Sequence, residues 1–258
     1  MTDEPVLVRE QRGAVLVLRL NRPEARNALN GPLLDQLGLA LTDAEGDPGV
    51  ACVVITGTGD RAFCAGMDLA DFASAGAIAP SADGMAGFRR FTEGEVAVPI
   101  VGAANATAVA GGFEVLMGCD LVVASADARF GLPEVKRGLF AAGGGTALAT
   151  RIPLAIALEL TLTGDLIDAD RAAALGLVNR VVPPADVLDA ALDLAGRIAA
   201  NGPLGLRATK QLVRLATRGP AEGAAVQAEW QAKVFGSEDA REGATAFIEK
   251  RDPVWKGR

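Results

Sequence analysis

Hydrophobic and polar residues alternate along residues 6–20, on both sides of the polar tripeptide Gln11-Arg12-Gly13. Alternation with a period of two is typical of half-buried strands, and a short polar break between two such runs indicates a tight turn. The sequence therefore predicts two strands joined by a turn at Gln11-Arg12-Gly13.

A helical period follows the second strand. Leu33, Leu37 and Leu41 recur at the spacing of one helix face, and Asn30 is a favourable N-cap residue. The residues Gly46-Asp47-Pro48-Gly49 are predicted to end this helix, since glycine and proline interrupt helical backbone. The chain thus opens with a predicted β-β-α unit.

Continuous apolar runs then alternate with helical segments. Residues 50–56, 98–104 and 121–124 are typical of strands that are buried on both faces. Helices are predicted around residues 88–96 and from Gly111 onward, between these strands. Strands that alternate with helices imply right-handed crossovers and a largely parallel sheet.

Two further regions complete the pattern. Residues 71–87 are rich in Ala, Ser and Gly and show no period, so we interpret them as a mobile segment that can form part of a pocket wall. After Thr146 six helices are predicted, with a single strand signal at residues 177–182. We place the domain division here, with residues 1–182 as the core and residues 183–258 as a helical C-terminal region.

Composition narrows the possible functions. The 258-residue chain has a net charge of −7, which argues against a nucleic-acid surface. No apolar run reaches the roughly 18 residues that span a bilayer, and the acidic start does not resemble a secretory signal. Three cysteines without metal-type spacing suit free thiols in a reducing compartment. We expect a cytoplasmic protein that binds neither nucleic acid nor membrane.

The chain contains no histidine and no tyrosine. The absence of histidine excludes Ser-His-Asp and Cys-His nucleophile pairs and the usual catalytic zinc sites. Acid–base chemistry therefore falls to Asp, Glu, Lys or Cys.

A glycine pattern after the third predicted strand superficially matches a dinucleotide-binding fingerprint. Gly57, Gly59 and Ala62 have the required spacing, but residues 63–66 intervene before any helix can begin. A turn at the end of the strand is the favoured interpretation.

Two glutamates stand where the chain turns into a helix. Glu114 follows Gly111-Gly112, and Glu134 follows Pro133. An acid in the first helical turn can simply stabilise the helix dipole or cap free N–H groups. Two such acids in one glycine-rich region can also face each other across a pocket, where one donates a proton and the other accepts it.

Backbone N–H groups offer a second candidate feature. The small residues around Met67 and the glycines at 111–112 can serve close packing alone, or they can let the N–H groups of Met67 and Gly111 approach a ligand. Two such donors would make an oxyanion hole.

Nearly the whole chain resembles the enoyl-CoA hydratase/isomerase, or crotonase, family. The motifs that carry the resemblance are NRP (21–23), NAL (27–29), AFCAGMDL (62–69), VAGGFEVLMGCDLVVAS (109–125), FGLPEVKRGL (130–139), GGGT (143–146), LTGDLIDADRAAALGLVNRVV (162–182) and EGATAFIEKR (242–251). The resemblance implies an α/β fold, a spiral of ββα units with a helical C-terminal region that assembles the protein as trimers or hexamers and closes the CoA site.

The resemblance also implies an activity. Met67 and Gly111 match the oxyanion-hole positions, and Glu114 and Glu134 match the two catalytic acids of hydratases. The expected reaction is addition of water to a 2-enoyl-CoA, without metal or separate cofactor, since coenzyme A is part of the substrate. The open alternatives are a double-bond isomerase, a specialised acyl-CoA dehydratase and a non-catalytic acyl-CoA-binding member.

Two departures from the family pattern affect the expected site. Glu24 stands where some members carry a lysine for the CoA phosphates, so the substitutes are Arg26 or, from the C-terminal helix of this or another subunit, Lys250 and Arg251. The residues expected to bind CoA are Arg26, Ala65 and Lys250. Residues 139–142 lack the proline-glycine often found before GGGT, and this change is expected to alter the pocket behind Glu134.

Overall fold

The computed structural model describes residues 4–73, 79–217 and 220–258. Within these ranges the strands are β1 (Leu7–Arg12), β2 (Val15–Leu20), β3 (Cys52–Gly57), β4 (Ile100–Ala104), β5 (Ala108–Val109), β6 (Leu121–Ser125), β7 (Arg129–Gly131), β8 (Ile167–Asp168) and β9 (Arg180–Val182). The helices are α1 (Gly31–Gly46), α2 (Leu69–Ala73), α3 (Ala82–Thr92), α4 (Gly111–Gly118), α5 (Leu154–Thr163), α6 (Ala169–Ala174), α7 (Val187–Ala199), α8 (Pro203–Ala216), α9 (Pro220–Phe235) and α10 (Glu238–Glu249).

The main sheet has six strands in the order β1-β2-β3-β4-β6-β9. β1 and β2 are antiparallel, and every later pair is parallel. All six residues of β3 are buried, as expected for a strand covered on both faces. The predicted hairpin, β-β-α start and parallel sheet are thus confirmed. The predicted turn position is wrong, because Gln11 and Arg12 belong to β1 and the turn lies at residues 13–14.

Helix α1 begins and ends where the sequence predicts. The side chain of Asn30 accepts a hydrogen bond from the N–H of Leu33 at 3.1 Å, and Leu33, Leu37 and Leu41 are fully buried. One free N–H of the first turn is thereby satisfied, and the apolar face packs against the sheet.

Helix α3 corrects the interpretation of residues 71–87 as a mobile segment. α2 reaches Ala73, and α3 begins at Ala82 with the Ser81 hydroxyl accepting from the N–H of Gly84. The glycines of α3 serve close helix packing: a Cβ at Gly84 would lie 2.2 Å from the Asp35 carboxylate on α1. Residues 74–78 lie outside the described part of the chain.

The main sheet is covered on both faces. One face packs on a large apolar core with α1, α4 and α5, and the other packs on α7. α7 therefore contributes to the core although it follows residue 182, where we placed the domain division.

A small sheet, in the order β5-β7-β8, was not predicted. Its strands have two or three residues each, which is too short to show a period. Ala108 pairs with Phe130 and Val109 with Gly131, so the segment that leads into α4 lies beside the segment that leads to Glu134. This pairing brings the two glutamate-bearing turns together.

The six helices expected after Thr146 are present as α5 to α10 within the described residues. α8 is anchored by Lys210 and Arg214, which form ion pairs of 2.7 Å with the Asp120 carboxylate. None of the helices in the described ranges is long and apolar enough to cross a membrane. All three cysteines are buried and unpaired.

Candidate active site

Glu114 lies in the first turn of α4, and its carboxylate is buried. The N–H of Gly145 donates to Glu114 Oε1 at 2.8 Å, and the N–H of Gly143 also donates to this carboxylate. A Cβ at Gly143 would lie 2.5 Å from Glu114 Oε2, so residues 143–145, the glycine loop, pack closely against the carboxylate. Burial raises the Glu114 pKa, and the two N–H groups partly counteract this by stabilising the charged form.

Glu134 lies at the start of a 3₁₀ turn, Pro133–Arg137, directly after β7 and Leu132. Its Oε2 atom is buried and has no hydrogen-bond partner among the described residues. Burial raises the pKa of this carboxyl group, opposed by its own backbone N–H and by the charge of Arg137. A buried carboxyl oxygen without a partner favours the protonated acid or a bound water.

The charge of Glu134 affects the protonation of Glu114. After burial and the hydrogen bond from Gly145, the charge of Glu134 is the next influence on Glu114, and it raises the Glu114 pKa further. Like charges disfavour each other, so ionisation of Glu134 makes ionisation of Glu114 less favourable. Glu114 accepts from the N–H groups of Gly143 and Gly145, whereas Glu134 accepts from its own backbone N–H and its Oε2 atom has no partner among the described residues.

The N–H groups of Met67 and Gly111 lie side by side. A Cβ at Gly66 would be 3.2 Å from the nitrogen of Gly111, and a Cβ at Gly111 would be 3.6 Å from the nitrogen of Met67. Among the described residues neither N–H donates a hydrogen bond. Both donors are therefore available to one ligand atom.

Their directions follow from the planarity of the trans peptide, in which C=O and N–H point in opposite directions. The carbonyl of Gly66 accepts from the N–H of Leu29 at 2.7 Å, which turns the N–H of Met67 away from Leu29. The carbonyl of Ala110 accepts from the N–H groups of Phe113 and Glu114 at 2.9 and 3.0 Å, so the N–H of Gly111 points out of the helix start.

Ala110 holds an uncommon backbone conformation, with φ 52° and ψ −132°. Positive φ is costly for any residue with a Cβ, by about 1–3 kcal/mol. The conformation persists because the N–H of Ala110 donates to the carbonyl of Gly131 at 2.9 Å while its own carbonyl caps α4. The small sheet thus fixes the turn that exposes Gly111.

Two cavities lie at Glu134 and at the glycine loop. One of about 400 Å³ is lined by Glu134 and mainly apolar side chains, among them Leu132, Phe140 and Leu148. Residues 139–142, which depart from the family pattern, contribute Phe140 and Ala141 to its wall. The other, of about 850 Å³, lies between α3 and the glycine loop and includes Gly143.

The residues assigned to CoA binding are only partly brought together. The N–H of Ala65 donates to the carbonyl of Arg26 at 3.0 Å, so these two residues are neighbours, and the side chain of Arg26 is exposed. Lys250 ends α10, and in the described residues no hydrogen bond or ion pair joins it to Arg26 or Ala65. The tail after α10 is anchored elsewhere, since the Trp255 indole donates to the carbonyl of Ala200.

Sequence reasoning missed four residues that hold the site. Gly143 and Gly145 bind Glu114, and the GGGT motif signalled a close backbone approach without saying to what. Arg22 and Asp68 form an ion pair of 2.9 Å beside Met67. They are 46 residues apart, and no local signal relates two positions at such a distance.

Comparisons with known proteins were made on the whole chain. A model of the enoyl-CoA hydratase/isomerase family matches residues 10–258. A short-chain-enoyl-CoA hydratase from Clostridium acetobutylicum is 35% identical over 248 residues, which cover 95% of each chain. A carnitinyl-CoA dehydratase from Proteus mirabilis is 38% identical and covers 96% of this chain and 97% of its own. The crystal structure of an enoyl-CoA hydratase from Mycobacterium tuberculosis matches with a TM-score of 0.89 at 43% identity, covering 99% of this chain and 100% of its own.

Proposed function

The chain belongs to the enoyl-CoA hydratase/isomerase family, and on that premise we propose that it is an enoyl-CoA hydratase, which adds water to a 2-enoyl-CoA to give a 3-hydroxyacyl-CoA. One observation carries this proposal: the carboxyl groups of Glu114 and Glu134 differ in hydrogen bonding, and the neighbouring N–H groups of Met67 and Gly111 donate to nothing among the described residues. The fold is the α/β crotonase fold expected from the sequence.

In the proposed reaction both carboxyl groups hold the water. Glu114, which we propose carries the negative charge, accepts a proton from the water as the water oxygen attacks C3 of the enoyl group. Electron density moves through the double bond to the thioester oxygen, and protonated Glu134 supplies its proton to C2. A proton then passes from Glu114 to Glu134, so the net change is the addition of one water.

The N–H groups of Met67 and Gly111 would bind the thioester oxygen, where negative charge develops. A preorganised donor of this kind contributes about 10²–10³ in rate, because it needs no reorganisation during the reaction. All proton transfers are assigned to this chain's own carboxyl groups, and the proposed mechanism uses no metal and no cofactor besides the CoA of the substrate.

The CoA would lie across Arg26 and Ala65, which are adjacent to residues 66–68, the oxyanion-hole loop. Lys250 is proposed to contribute from another copy of the chain. Self-association as a homotrimer or homohexamer is supported by exposed apolar side chains around α5 and on α10, where Phe140, Leu162 and Phe247 are 70%, 70% and 85% exposed. The cytoplasmic location is proposed from the sequence alone.

The direction of the reaction is set by concentrations, since the same carboxyl groups catalyse water removal. Similarity to a carnitinyl-CoA dehydratase makes a dehydratase acting on a specialised acyl-CoA the second candidate. The two are separated by assaying 2-enoyl-CoA and 3-hydroxyacyl-CoA substrates side by side.

The test uses a panel of short, long and aromatic 2-enoyl-CoA substrates with wild-type protein and the variants Glu114→Gln and Glu134→Gln. We expect hydration of at least one substrate by the wild type and a loss of about 10²–10⁴ in kcat for each variant, the range for removal of a general acid or base. A migrated double bond as product would indicate an isomerase. Tight binding without turnover, unchanged by both substitutions, would indicate a non-catalytic acyl-CoA-binding protein.

A further inference from the structure

An ion pair stands directly beside the oxyanion-hole loop. Arg22 follows β2, and its guanidinium donates through one nitrogen to the carbonyl of Ala28 at 2.6 Å and through another to Asp68 Oδ2 at 2.9 Å. Both charged side chains are 16% exposed. A guanidinium with two fixed acceptors is held in one orientation, so Arg22 connects residue 28 rigidly to residue 68.

Asp68 is also held by hydrogen bonds to its second carboxylate oxygen and to its backbone. Its Oδ1 accepts from the N–H groups of Ala70 and Asp71 at 3.2 Å each, at the start of α2. Its backbone N–H donates to the carbonyl of Leu29 at 2.9 Å. Because the N–H of Leu29 donates to the carbonyl of Gly66, residues 66 and 68 are both bonded to Leu29, on either side of Met67.

The other end of this arrangement rests on a buried amide. Asn27 is fully buried with φ 54°, and its side-chain nitrogen donates to the carbonyls of Thr58 and Ala62 at 3.0 and 2.9 Å. Its side-chain oxygen accepts from the N–H of Arg22 at 3.0 Å. The backbone of Arg22 is therefore anchored to the segment that precedes the oxyanion-hole loop.

The Arg22–Asp68 ion pair also affects the electrostatic potential at the oxyanion hole. A carboxylate one residue from an oxyanion donor would oppose the negative charge that develops on the thioester oxygen, since like charges repel strongly where water is excluded. The guanidinium of Arg22 compensates this carboxylate at 2.9 Å. With Arg22 in place, Asp68 can cap α2 and bond Leu29 without penalising the oxyanion.

We propose that Arg22 and Asp68 are positioning residues that hold the N–H of Met67 in its catalytic direction and neutralise the charge beside it. This proposal rests on the proposed function, because it concerns the same oxyanion hole. Neither side chain is required to touch the substrate. Their loss should therefore reduce kcat while leaving the binding of the acyl-CoA largely intact.

The experiment compares Arg22→Gln, Asp68→Asn and the double variant with the wild type and with Arg9→Gln. Arg9 on β1 forms an ion pair of similar length, 2.8 Å, with Asp43 on α1, but the Arg9 side chain is 41% exposed. We expect kcat of Arg22→Gln to fall about 10–100-fold with KM changed by less than about threefold, since misplacing a reacting group by about 1 Å costs up to about 100-fold. The double variant should lose little more than Arg22→Gln, because the two residues act as one unit. Arg9→Gln should match the wild type.

A second measurement separates positioning from general weakening of the fold. Isotope-edited infrared spectra would record the carbonyl stretch of a saturated acyl-CoA, labelled with ¹³C at the thioester carbon and bound to each protein. Hydrogen bonds from Met67 and Gly111 should lower this frequency in the wild type, and Arg22→Gln should return it part of the way to its value in solution. Wild-type kcat in both single variants, or a reduced kcat with an unchanged carbonyl frequency, would overturn the proposal. Absence of turnover in the wild type would instead remove the proposed hydratase function, and the infrared comparison would still decide whether Arg22 orients the donor.

Discussion

Gly66 sets the distance between the two candidate oxyanion donors, and Gly66→Ala tests whether that distance matters. A Cβ at this position would lie 2.7 Å from the Cβ of Ala110 and 3.2 Å from the nitrogen of Gly111. Ordinary carbon–carbon contacts are about 3.5–4.0 Å, so the two segments must separate by about 1 Å. Gly66 also has φ +89°, which adds about 1–3 kcal/mol of backbone strain to any residue with a Cβ.

A separation of this size moves the N–H of Met67 away from that of Gly111. We expect kcat for hydration to fall about 100-fold, equivalent to about 2.7 kcal/mol in activation free energy. The assay follows the loss of the conjugated enoyl thioester absorbance, with kcat and KM determined separately and the unfolding free energy measured in urea.

Gly13→Ala is the matched control. Gly13 also has positive φ, +60°, but its Cβ would meet nothing within 4 Å, and it lies in the turn between β1 and β2. The control should lose stability through strain and keep its kcat. If Gly66→Ala retained kcat within about twofold while losing stability like Gly13→Ala, the pairing of the two N–H groups would not be used in catalysis.

Three further predictions concern charge and strain. Because burial raises the pKa of both Glu114 and Glu134, the loss of kcat/KM at acid pH should have a midpoint above the usual glutamate value of 4.5, and a midpoint at or below 4.5 would contradict this. The free energy of unfolding should decrease as pH rises through the same window, because the folded state binds these protons more tightly than the unfolded state. Ala110→Gly should raise the unfolding free energy by about 1 kcal/mol and keep activity, because glycine adopts φ 52° without strain; an unchanged or lower urea midpoint would show that the turn is not strained. Lys210→Met should lower the unfolding free energy by about 3 kcal/mol, because it removes an ion-pair partner 2.7 Å from Asp120 at a site where the lysine side chain is only 9% exposed. A loss below about 1 kcal/mol would mean that the ion pair contributes no more than a solvent-exposed pair.

The sequence allowed the larger elements to be predicted because each is specified locally. Leu33, Leu37 and Leu41 mark the buried face of α1, and residues 52–57 form a strand that is buried throughout and mainly apolar. The small sheet could not be predicted, since β5 and β8 have two residues each and are stabilised by pairing with distant segments. α3 was missed in part because Gly84 reads as a helix breaker, whereas its role is close contact with α1.

The site shows the same limit. Glu114, Glu134, Met67 and Gly111 stand in recognisable motifs, so their chemistry could be predicted. The residues that hydrogen-bond to them are distant in sequence; Gly145, for example, is 31 residues from Glu114. The burial and the hydrogen bonds that shift the pKa of each glutamate depend on these long-range contacts.

The candidate oxyanion hole is a junction of four chain segments. Leu29 holds Gly66, Gly131 holds Ala110, and each of these bonds joins parts of the chain that are far apart. None of the four segments alone contains a usable pair of donors. During refolding, helices and the β1–β2 hairpin can form early from local contacts, but catalytic competence can return only when the last of these long-range pairings has closed. Recovery of turnover is thus a stricter measure of a completed fold than recovery of helical signal.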